Sequence, residues 1–379
     1  MHAEALFLFG TLRDLELLET VAGCAMPVEE AELSGHVIAH AVSADGSVQD
    51  FPMFSERDGA VARGLLIRPN PQAQQRLDAY ERVFGYDTTK ISVQTASGLV
   101  EALIYLPEAG LWSAGEEWSL EQWRAGPGQF AVEVAAEVMR LLPTTAPRAI
   151  FERFQMLEIR AASRRRAAAT SVPASLRRQP VAGDVDVLDM RTPYTWFFGV
   201  EEADVKFRRF DGSLSPEVTR AGFIMGDAVT VLPYDPMRDA VMLVEQFRFG
   251  PHARGDKNPW SLEPIAGRID PTEAPETAAR REAREEARLS MRALHEIGRY
   301  YVSPGAVTEY LISYVGIADL PASAEGVSGL EIEAEDIRAH VIPFSQLMSL
   351  LESGEIANGP LIISVQWLAL NRDRLRAEP

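Results

Sequence analysis

A group of carboxylates at helical spacing is the part of this sequence best suited to chemistry. Glu282 and Glu286 are four residues apart and Glu285 adjoins them, in a segment rich in alanine, arginine and glutamate that follows Pro275. This composition favours a helix that begins near the proline, with residues four apart on one face. Clustered carboxylate oxygens suit Mg²⁺, which couples them to the phosphates of a substrate. The alternative interpretation is a solvated, charged helix.

The spacing around this helix resembles the Nudix box, the loop–helix–loop of enzymes that hydrolyse nucleoside diphosphates linked to another group. The positions that match are Gly267, Glu273, Arg281, Glu282, Ala283, Glu285, Glu286 and Leu289. Arg288 departs from the pattern, because the family has a glycine there, which ends the helix in a left-handed conformation. Either Arg288 carries a strain of about 1 kcal/mol or the helix ends differently.

Composition limits the classes of protein to which this chain can belong. Its 379 residues suffice for two or three domains. A net charge of −18 argues against non-specific binding of nucleic acid and against an anionic membrane surface. The single cysteine, Cys24, suits a reducing cytoplasm. The sequence shows no apolar run of about twenty residues and no signal peptide. We therefore expect a cytoplasmic protein. The charge does not argue against an anionic small-molecule substrate, because divalent metal can invert the local charge.

The first part of the chain predicts a compact α+β domain over residues 1–125. A short apolar strand enters a tight loop at Phe9-Gly10-Thr11-Leu12, and a helix is predicted over Pro71–Glu81. Further strands are predicted at Gly35–Ser43, Ala60–Ile67, Thr88–Thr95 and Val100–Leu106.

This region resembles the gamma-glutamylcyclotransferase-like family, through that loop and through Leu77-Asp78-Ala79-Tyr80-Glu81. The resemblance implies a mixed β-barrel with helices and a ligand site that includes Gly10, Thr11, Leu12 and Glu81. Glu81 matches the acid/base of the active members, whereas Phe9 replaces the family tyrosine. The other interpretation is that Glu81 simply ends a surface helix. Of the functional interpretations, ligand binding is favoured over catalysis.

A helical connector and linker are predicted over residues 126–183, with helices at Gln129–Leu142 and Arg148–Ala169. Strand patterns follow, with two short strands expected in Phe197–Phe210. The strands after the carboxylate helix are predicted at Leu294–Val302, Leu311–Val315 and Ile337–Ile342, and the closing helices at Ser345–Ser353 and Pro360–Arg374. Residues 184–379 are therefore expected to form an α/β/α sandwich.

Residues 184–379 resemble the ADP-ribose pyrophosphatase branch of the Nudix family. The resemblance rests on separated motifs: Glu245-Gln-Phe-Arg248, Trp260-Ser-Leu-Glu263, Ser303-Pro-Gly-Ala-Val-Thr-Glu309 and Glu333-Ala-Glu-Asp-Ile-Arg338. The two-domain order resembles Nudix proteins associated with tellurite resistance. The family also implies a homodimer through the Nudix domain, with the aromatic run from Tyr194 to Phe198 near adenine.

The resemblance implies a role for each site residue. Two or three Mg²⁺ ions, with Mn²⁺ as a substitute, would be held by the Nudix-box glutamates and the Ala266 carbonyl. The expected metal positions are Ala266, Glu282, Glu286 and Glu335; the catalytic positions are Glu285 and Glu333, the latter as the base. Arg281 and Glu273 would pair and, with Gly267, be structural. Substrate contacts are expected at Arg220, Arg248, Glu263, Glu309 and Phe198.

The leading hypothesis is Mg²⁺-dependent hydrolysis of ADP-ribose to AMP and ribose 5-phosphate. The alternatives are a pyrophosphatase for a related ADP-sugar or dinucleotide, a sensor that binds ADP-ribose without turnover, and a gamma-glutamylcyclotransferase activity in the N-terminal half. Pocket loops rather than the box select the substrate, so the box alone leaves the first two open.

Overall fold

The computed structural model describes residues 4–171, 173–321, 326–328 and 336–377. The chain divides after Arg165 into two compact units. In the described residues, no helix has the length and apolar character needed to cross a membrane.

The first unit is built on a closed β-barrel. Its strands are β1 (Ala5–Leu8), β2 (Glu29–Val42), β3 (Val48–Ile67), β4 (Tyr86–Thr95), β5 (Gly98–Pro107) and β6 (Ser113–Glu117). They pair in the order β3-β1-β5-β4-β2-β6, and an additional β2–β3 pairing closes the barrel. Strand β1 is parallel to β5 and antiparallel to β3, and its four residues are all buried. The barrel predicted for this half is confirmed.

Helices cover the barrel and complete its core. They are α1 (Leu15–Ala22), α2 (Pro71–Glu81), α3 (Leu120–Ala125), α4 (Ala131–Leu141), α5 (Pro147–Phe151) and α6 (Phe154–Ala169). Helix α2 has the predicted bounds, because Pro71 is its first residue and Asn70 caps it through the Ala73 N–H. Val134, Ile150 and Leu157 are buried in the same core as the barrel strands. The region expected as a connector therefore contributes core residues to the first unit.

The second unit contains a mixed sheet and a separate three-stranded sheet. Its strands are β7 (Val185–Thr195), β8 (Gly199–Phe207), β9 (Val218–Ile224), β10 (Ala228–Asp235), β11 (Ala240–Phe247), β12 (Trp260–Glu263), β13 (Ile265–Arg268), β14 (Ala293–Tyr301), β15 (Tyr310–Ile317), β16 (Gly326–Ser328) and β17 (Ile337–Pro343). The mixed sheet has the order β14-β15-β10-β11-β17-β16, with β12 on β11 and β13 on β10, while β7, β8 and β9 form the separate sheet. The two short strands expected within Phe197–Phe210 are one strand, β8.

Helices lie on both faces of the mixed sheet, which confirms the predicted α/β/α sandwich. They are α7 (Phe249–Arg254), α8 (Pro275–Ala287), α9 (Phe344–Ser353) and α10 (Gly359–Ala377). Successive strand residues point to opposite faces. On β10, Val229 and Val231 therefore pack with α8, whereas Leu232 packs in the core of α9 and α10.

Candidate functional site

Helix α8 lies close to the sheet because its buried face is made of alanine. Ala278, Ala279 and Ala283 are fully buried in the core that includes β10 and β13. Small side chains allow a helix backbone to approach the strands, so the neighbouring glutamates come within reach of β13. The helix ends at Arg288, which has φ 54° and ψ 28°, in the left-handed region. The helix therefore ends as the glycine of the pattern would end it, and Arg288 carries the strain.

Two carboxylates of α8 lie against the backbone of β13. A methyl group on Gly267 would lie 1.9 Å from Cδ and Oε1 of Glu282, so a glycine is required here by close approach. The Glu286 side chain is buried, and its Oε2 accepts a hydrogen bond from the Ala266 N–H at 3.4 Å. The structure thus brings Ala266, Gly267, Glu282 and Glu286 together.

Arg281 connects this cluster to the loop that precedes the helix. Its guanidinium donates to both oxygens of Glu273 at 3.2 and 3.0 Å, to Glu282 at 2.7 Å and to Glu285 at 3.0 Å. It also donates to the carbonyl of Arg268 at 3.0 Å. Burial lowers the pKa of Arg281, but the hydrogen bonds to Glu273, Glu282 and Glu285, together with the charge of Glu282, outweigh burial and raise this pKa overall. Arg281 is therefore a permanent cation that links the loop to α8.

The donor set fits a hard divalent cation in its chemistry, since carboxylate and carbonyl oxygens are the ligands that Mg²⁺ and Mn²⁺ take. Among the residues that the structure describes, however, no three His, Cys, Asp or Glu side chains form a group able to hold a metal ion. Glu282 and Glu285 each form an ion pair with the guanidinium of Arg281. Glu333 and Glu335 lie outside the described residues.

A second polar group lies at the ends of β11 and β12. Arg248 donates to Glu263 through Nε at 3.1 Å and through a terminal nitrogen at 2.7 Å, and the Glu263 side chain is buried. Burial raises the pKa of the half-buried Glu309, and the charges of Arg268 and Arg248 oppose that rise. Arg248 therefore interacts with both Glu263 and Glu309. This closeness is necessary if the three residues line one pocket.

An aromatic cluster adjoins this group. The Arg268 guanidinium lies over the Phe197 ring, 4.2 Å from its centroid, and Phe198 packs edge-on against Phe223 with centroids 5.6 Å apart. The backbone of Phe223 exchanges hydrogen bonds with the loop that carries Glu309, at Ala306 and Thr308. Phe198 thus lies beside the polar group.

The structure does not bring Arg220 into this group. Its side chain is exposed, and the described contact is a hydrogen bond to the carbonyl of the adjacent Thr219 at 3.1 Å. Sequence reasoning missed Arg268, which contacts the aromatic cluster and influences Glu309. The sequence signal for Arg268 was its position directly after Gly267, the first residue of the Nudix-box pattern.

In the first unit, the residues predicted as a site line one cavity of about 80 Å³. They are Gly10, Thr11, Leu12 and Glu81. Burial, and then the charge of Asp78, raise the pKa of Glu81 to about 8. Phe9 also lines the cavity, so the hydroxyl of the family tyrosine is absent from its wall. Sequence reasoning missed two further lining carboxyls, Asp50 and Glu158.

Comparisons with known proteins give a different family match for each of the two units. Residues 225–363 match the family model described as NUDIX domain, and residues 6–125 match that described as gamma-glutamyl cyclotransferase, AIG2-like. The chain is 38% identical over 195 residues to the ADP-ribose pyrophosphatase of Escherichia coli strain K12, a match that spans 52% of this chain and 92% of that protein. It is also 38% identical to the ADP-ribose pyrophosphatase of Haemophilus influenzae over 51% of this chain and 89% of that protein.

Two further similarities are more distant. The GDP-mannose pyrophosphatase of Enterobacter sp. strain 638 is 33% identical over 146 residues, 38% of this chain and 75% of that protein. A crystal structure of an ADP compounds hydrolase matches with a TM-score of 0.40 and 21% identity, over 51% of this chain and 98% of that one. The extent of the ADP-ribose pyrophosphatase matches and the matched domain model show that this chain, through its C-terminal unit, belongs to the Nudix hydrolases.

Proposed function

We propose that the C-terminal unit hydrolyses the diphosphate of ADP-ribose to AMP and ribose 5-phosphate. The observation that carries this proposal is the 38% identity over 92% of an ADP-ribose pyrophosphatase. The placement of Glu282 and Glu286 against β13 supports it, because it puts two carboxylates beside the carbonyl-bearing backbone of Ala266 and Gly267.

The chemistry follows from charge. A diphosphate diester is anionic and repels an attacking nucleophile, and the carboxylates of α8 add to this repulsion. The Ala266 carbonyl, Glu282, Glu286 and Glu335 would hold divalent metal, which supplies the positive charge that neutralises the diphosphate and positions water. Glu333 would accept the proton of the attacking water, with Glu285 as the second catalytic carboxylate. Arg281 and Glu273 would keep the loop in place against the helix.

The substrate would lie beside the polar and aromatic groups described above. The guanidinium of Arg248 has a planar fork that suits a phosphate oxygen pair, and Glu263 fixes its orientation. Phe198 and Phe197 offer aromatic surface for an adenine ring, and Arg268 is held over that surface. Glu309 is assigned a substrate contact because its half-buried carboxyl can accept from ribose hydroxyls.

A homodimer through the second unit is part of the proposal. The β7–β8–β9 sheet exposes large apolar side chains, including Val185, Val187, Met190, Phe207 and Phe223. A contiguous exposed apolar surface marks an interface more often than a solvated face. A second copy of the chain is the occupant that the resemblance implies, and the oligomeric state in solution tests this.

A related substrate is the second candidate, because GDP-mannose pyrophosphatases are also among the relatives, at 33% identity. The two candidates are separated by assaying the full chain with Mg²⁺ against ADP-ribose, an ADP-hexose, a diadenosine polyphosphate and GDP-mannose. The proposal predicts the highest kcat/KM for ADP-ribose, with AMP as the nucleotide product. Binding of ADP-ribose without release of AMP would identify a sensor. Preference for GDP-mannose would show that the substrate does not carry adenine as its nucleobase.

A further inference from the structure

The backbone of Arg268 lies beside the carboxylate cluster. Arg268 ends β13 and directly follows Gly267, whose adjoining space is filled by the Glu282 carboxylate. Consecutive Cα atoms are about 3.8 Å apart, so this backbone cannot move far from the cluster. The Arg268 carbonyl also accepts a hydrogen bond from a terminal nitrogen of Arg281 at 3.0 Å. Arg268 is therefore fixed in the part of the site assigned to the diphosphate.

The side chain of Arg268 reaches the aromatic cluster. Its guanidinium carbon lies 4.2 Å from the centroid of the Phe197 ring. Phe197 lies in the turn between β7 and β8, and 59% of the residue remains exposed, so the ring keeps surface for a further planar group. The Phe198 ring follows, with its centroid 6.3 Å away. Arg268 thus extends from the carboxylates to the surface assigned to adenine.

The charge of Arg268 balances the polar group at the ends of β11 and β12. Arg248 donates to the buried Glu263 at 2.7 Å, and the charges of Arg268 and Arg248 both act on Glu309. Without Arg268, this group would contain one arginine and two carboxylates whenever Glu309 is ionised. Such a group would repel an anion. The charge of Arg268 offsets this repulsion.

We propose that Arg268 binds the phosphate attached to adenosine, and so selects a nucleotide over a nucleoside. This proposal rests on the proposed function, which places adenine at the aromatic cluster and the diphosphate at the carboxylates. The adenosine phosphate is one ribose away from the base, so a substrate that spans the two groups passes Arg268. The N–H donors of a guanidinium lie in its plane. The contact of its face with Phe197 therefore leaves the arrangement of donors that suits phosphate oxygens.

The test is calorimetric titration of the full chain with AMP and with adenosine, with EDTA present so that metal supplies no charge. We expect AMP to bind at least about tenfold more tightly than adenosine, the effect of one charge-assisted contact. Arg268→Gln should weaken AMP binding by about tenfold or more, because the planar amide can still lie over Phe197 but has no charge. Arg268→Lys keeps the charge and should bind AMP more tightly than Arg268→Gln. The matched control is Arg284→Gln, at an exposed position of α8, which should bind AMP as the native chain does.

Equal affinity of Arg268→Gln and Arg268→Lys for AMP would overturn the proposal, because the charge would then have no role. An equal loss of AMP and adenosine binding in Arg268→Gln would show that Arg268 only supports Phe197. Absence of saturable AMP binding by the native chain up to about 10 mM, beyond the range of specific binding, would also overturn it.

The release of AMP from ADP-ribose separates this proposal from the proposed function. Binding of AMP that depends on Arg268, without release of AMP by the native chain when Mg²⁺ is present, would contradict the proposed function alone. Release of AMP by the native chain, with native AMP affinity in Arg268→Gln, would contradict the role of Arg268 alone.

Discussion

Gly267 and Glu282 occupy adjoining space, because a Cβ on Gly267 would lie 1.9 Å from Cδ of Glu282. The atoms that such a Cβ meets are the end of a flexible side chain rather than backbone. Gly267 therefore affects the position of the Glu282 carboxylate more than the stability of the unit. In this way a residue of β13 influences the chemistry of α8.

Gly267→Ala is expected to lower the rate of AMP release from ADP-ribose while leaving the thermal unfolding temperature nearly unchanged. The methyl group would displace the Glu282 carboxylate, and a shift of about 1 Å in a catalytic group can cost roughly 100-fold in rate. The control is Gly359→Ala, because a Cβ on Gly359 meets nothing within 4 Å. An unaltered rate in Gly267→Ala would show that the position of Glu282 is unimportant.

Arg281→Lys is expected to loosen the loop before α8. Lysine keeps the charge but loses the planar fork that donates to Glu273 and to the Arg268 carbonyl. Loss of these contacts should cost about 1–3 kcal/mol of local stability. Faster hydrogen exchange of residues 268–287 measures this, with Arg284→Lys on the exposed side of the same helix as the control. Equal exchange in both variants would contradict the linking role of Arg281.

Arg288→Gly is expected to stabilise α8, because Arg288 has φ 54° and glycine adopts this conformation without strain. The gain should be about 0.5–1 kcal/mol after the greater freedom of glycine in the unfolded chain is deducted. The matched variant Arg284→Gly makes the same change inside the helix and should destabilise it by about 1 kcal/mol. The hydrogen-exchange rates of the α8 amides should therefore fall in Arg288→Gly and rise in Arg284→Gly. A change in the same direction in both variants would rule out strain at Arg288.

Glu333 and Glu335 are predicted to have different roles. Glu333→Gln should lower turnover by about 10²–10⁴-fold, the usual range for loss of a general base, with little change in affinity for substrate or metal. Glu335→Gln should instead raise the Mg²⁺ concentration needed for half-maximal rate. Turnover measured against Mg²⁺ concentration for both variants separates these effects. Native behaviour in both, or one shared defect, would show that the division of roles is wrong.

The sequence predicted the elements whose signals are local. Helix α2 has the predicted bounds because a proline at its first turn and an asparagine cap mark its start. Helix α8 begins at Pro275 as expected. The helix predicted over Arg148–Ala169 is instead two helices, α5 and α6, separated at Glu152 and Arg153. Continuous apolar spacing does not reveal such a break, because packing against the core of the first unit determines where the helix is interrupted.

Contacts between distant side chains were beyond sequence reasoning. The pairing of Arg248 with Glu263 joins residues fifteen apart. The contact of Arg268 with Phe197 joins the end of β13 to the turn between β7 and β8. Strand β7 has exposed apolar residues along most of its length, so it lacks the alternating burial that identifies a strand. The spacing of the α8 glutamates indicated one carboxylate face, but the contacts of Arg281 decide where Glu282 and Glu285 point.

The most direct test of the central claim is AMP release from ADP-ribose by Glu286→Gln as a function of Mg²⁺ concentration. Glutamine keeps the shape of this buried side chain and removes an anionic oxygen. We expect activity to fall by at least about 100-fold, more than the usual loss for an outer-shell partner of a metal. Glu276→Gln, an exposed position on the same helix, should keep the native rate. Turnover by Glu286→Gln at the native rate, with the native Mg²⁺ dependence, would contradict the assignment of the reaction to the carboxylates of α8.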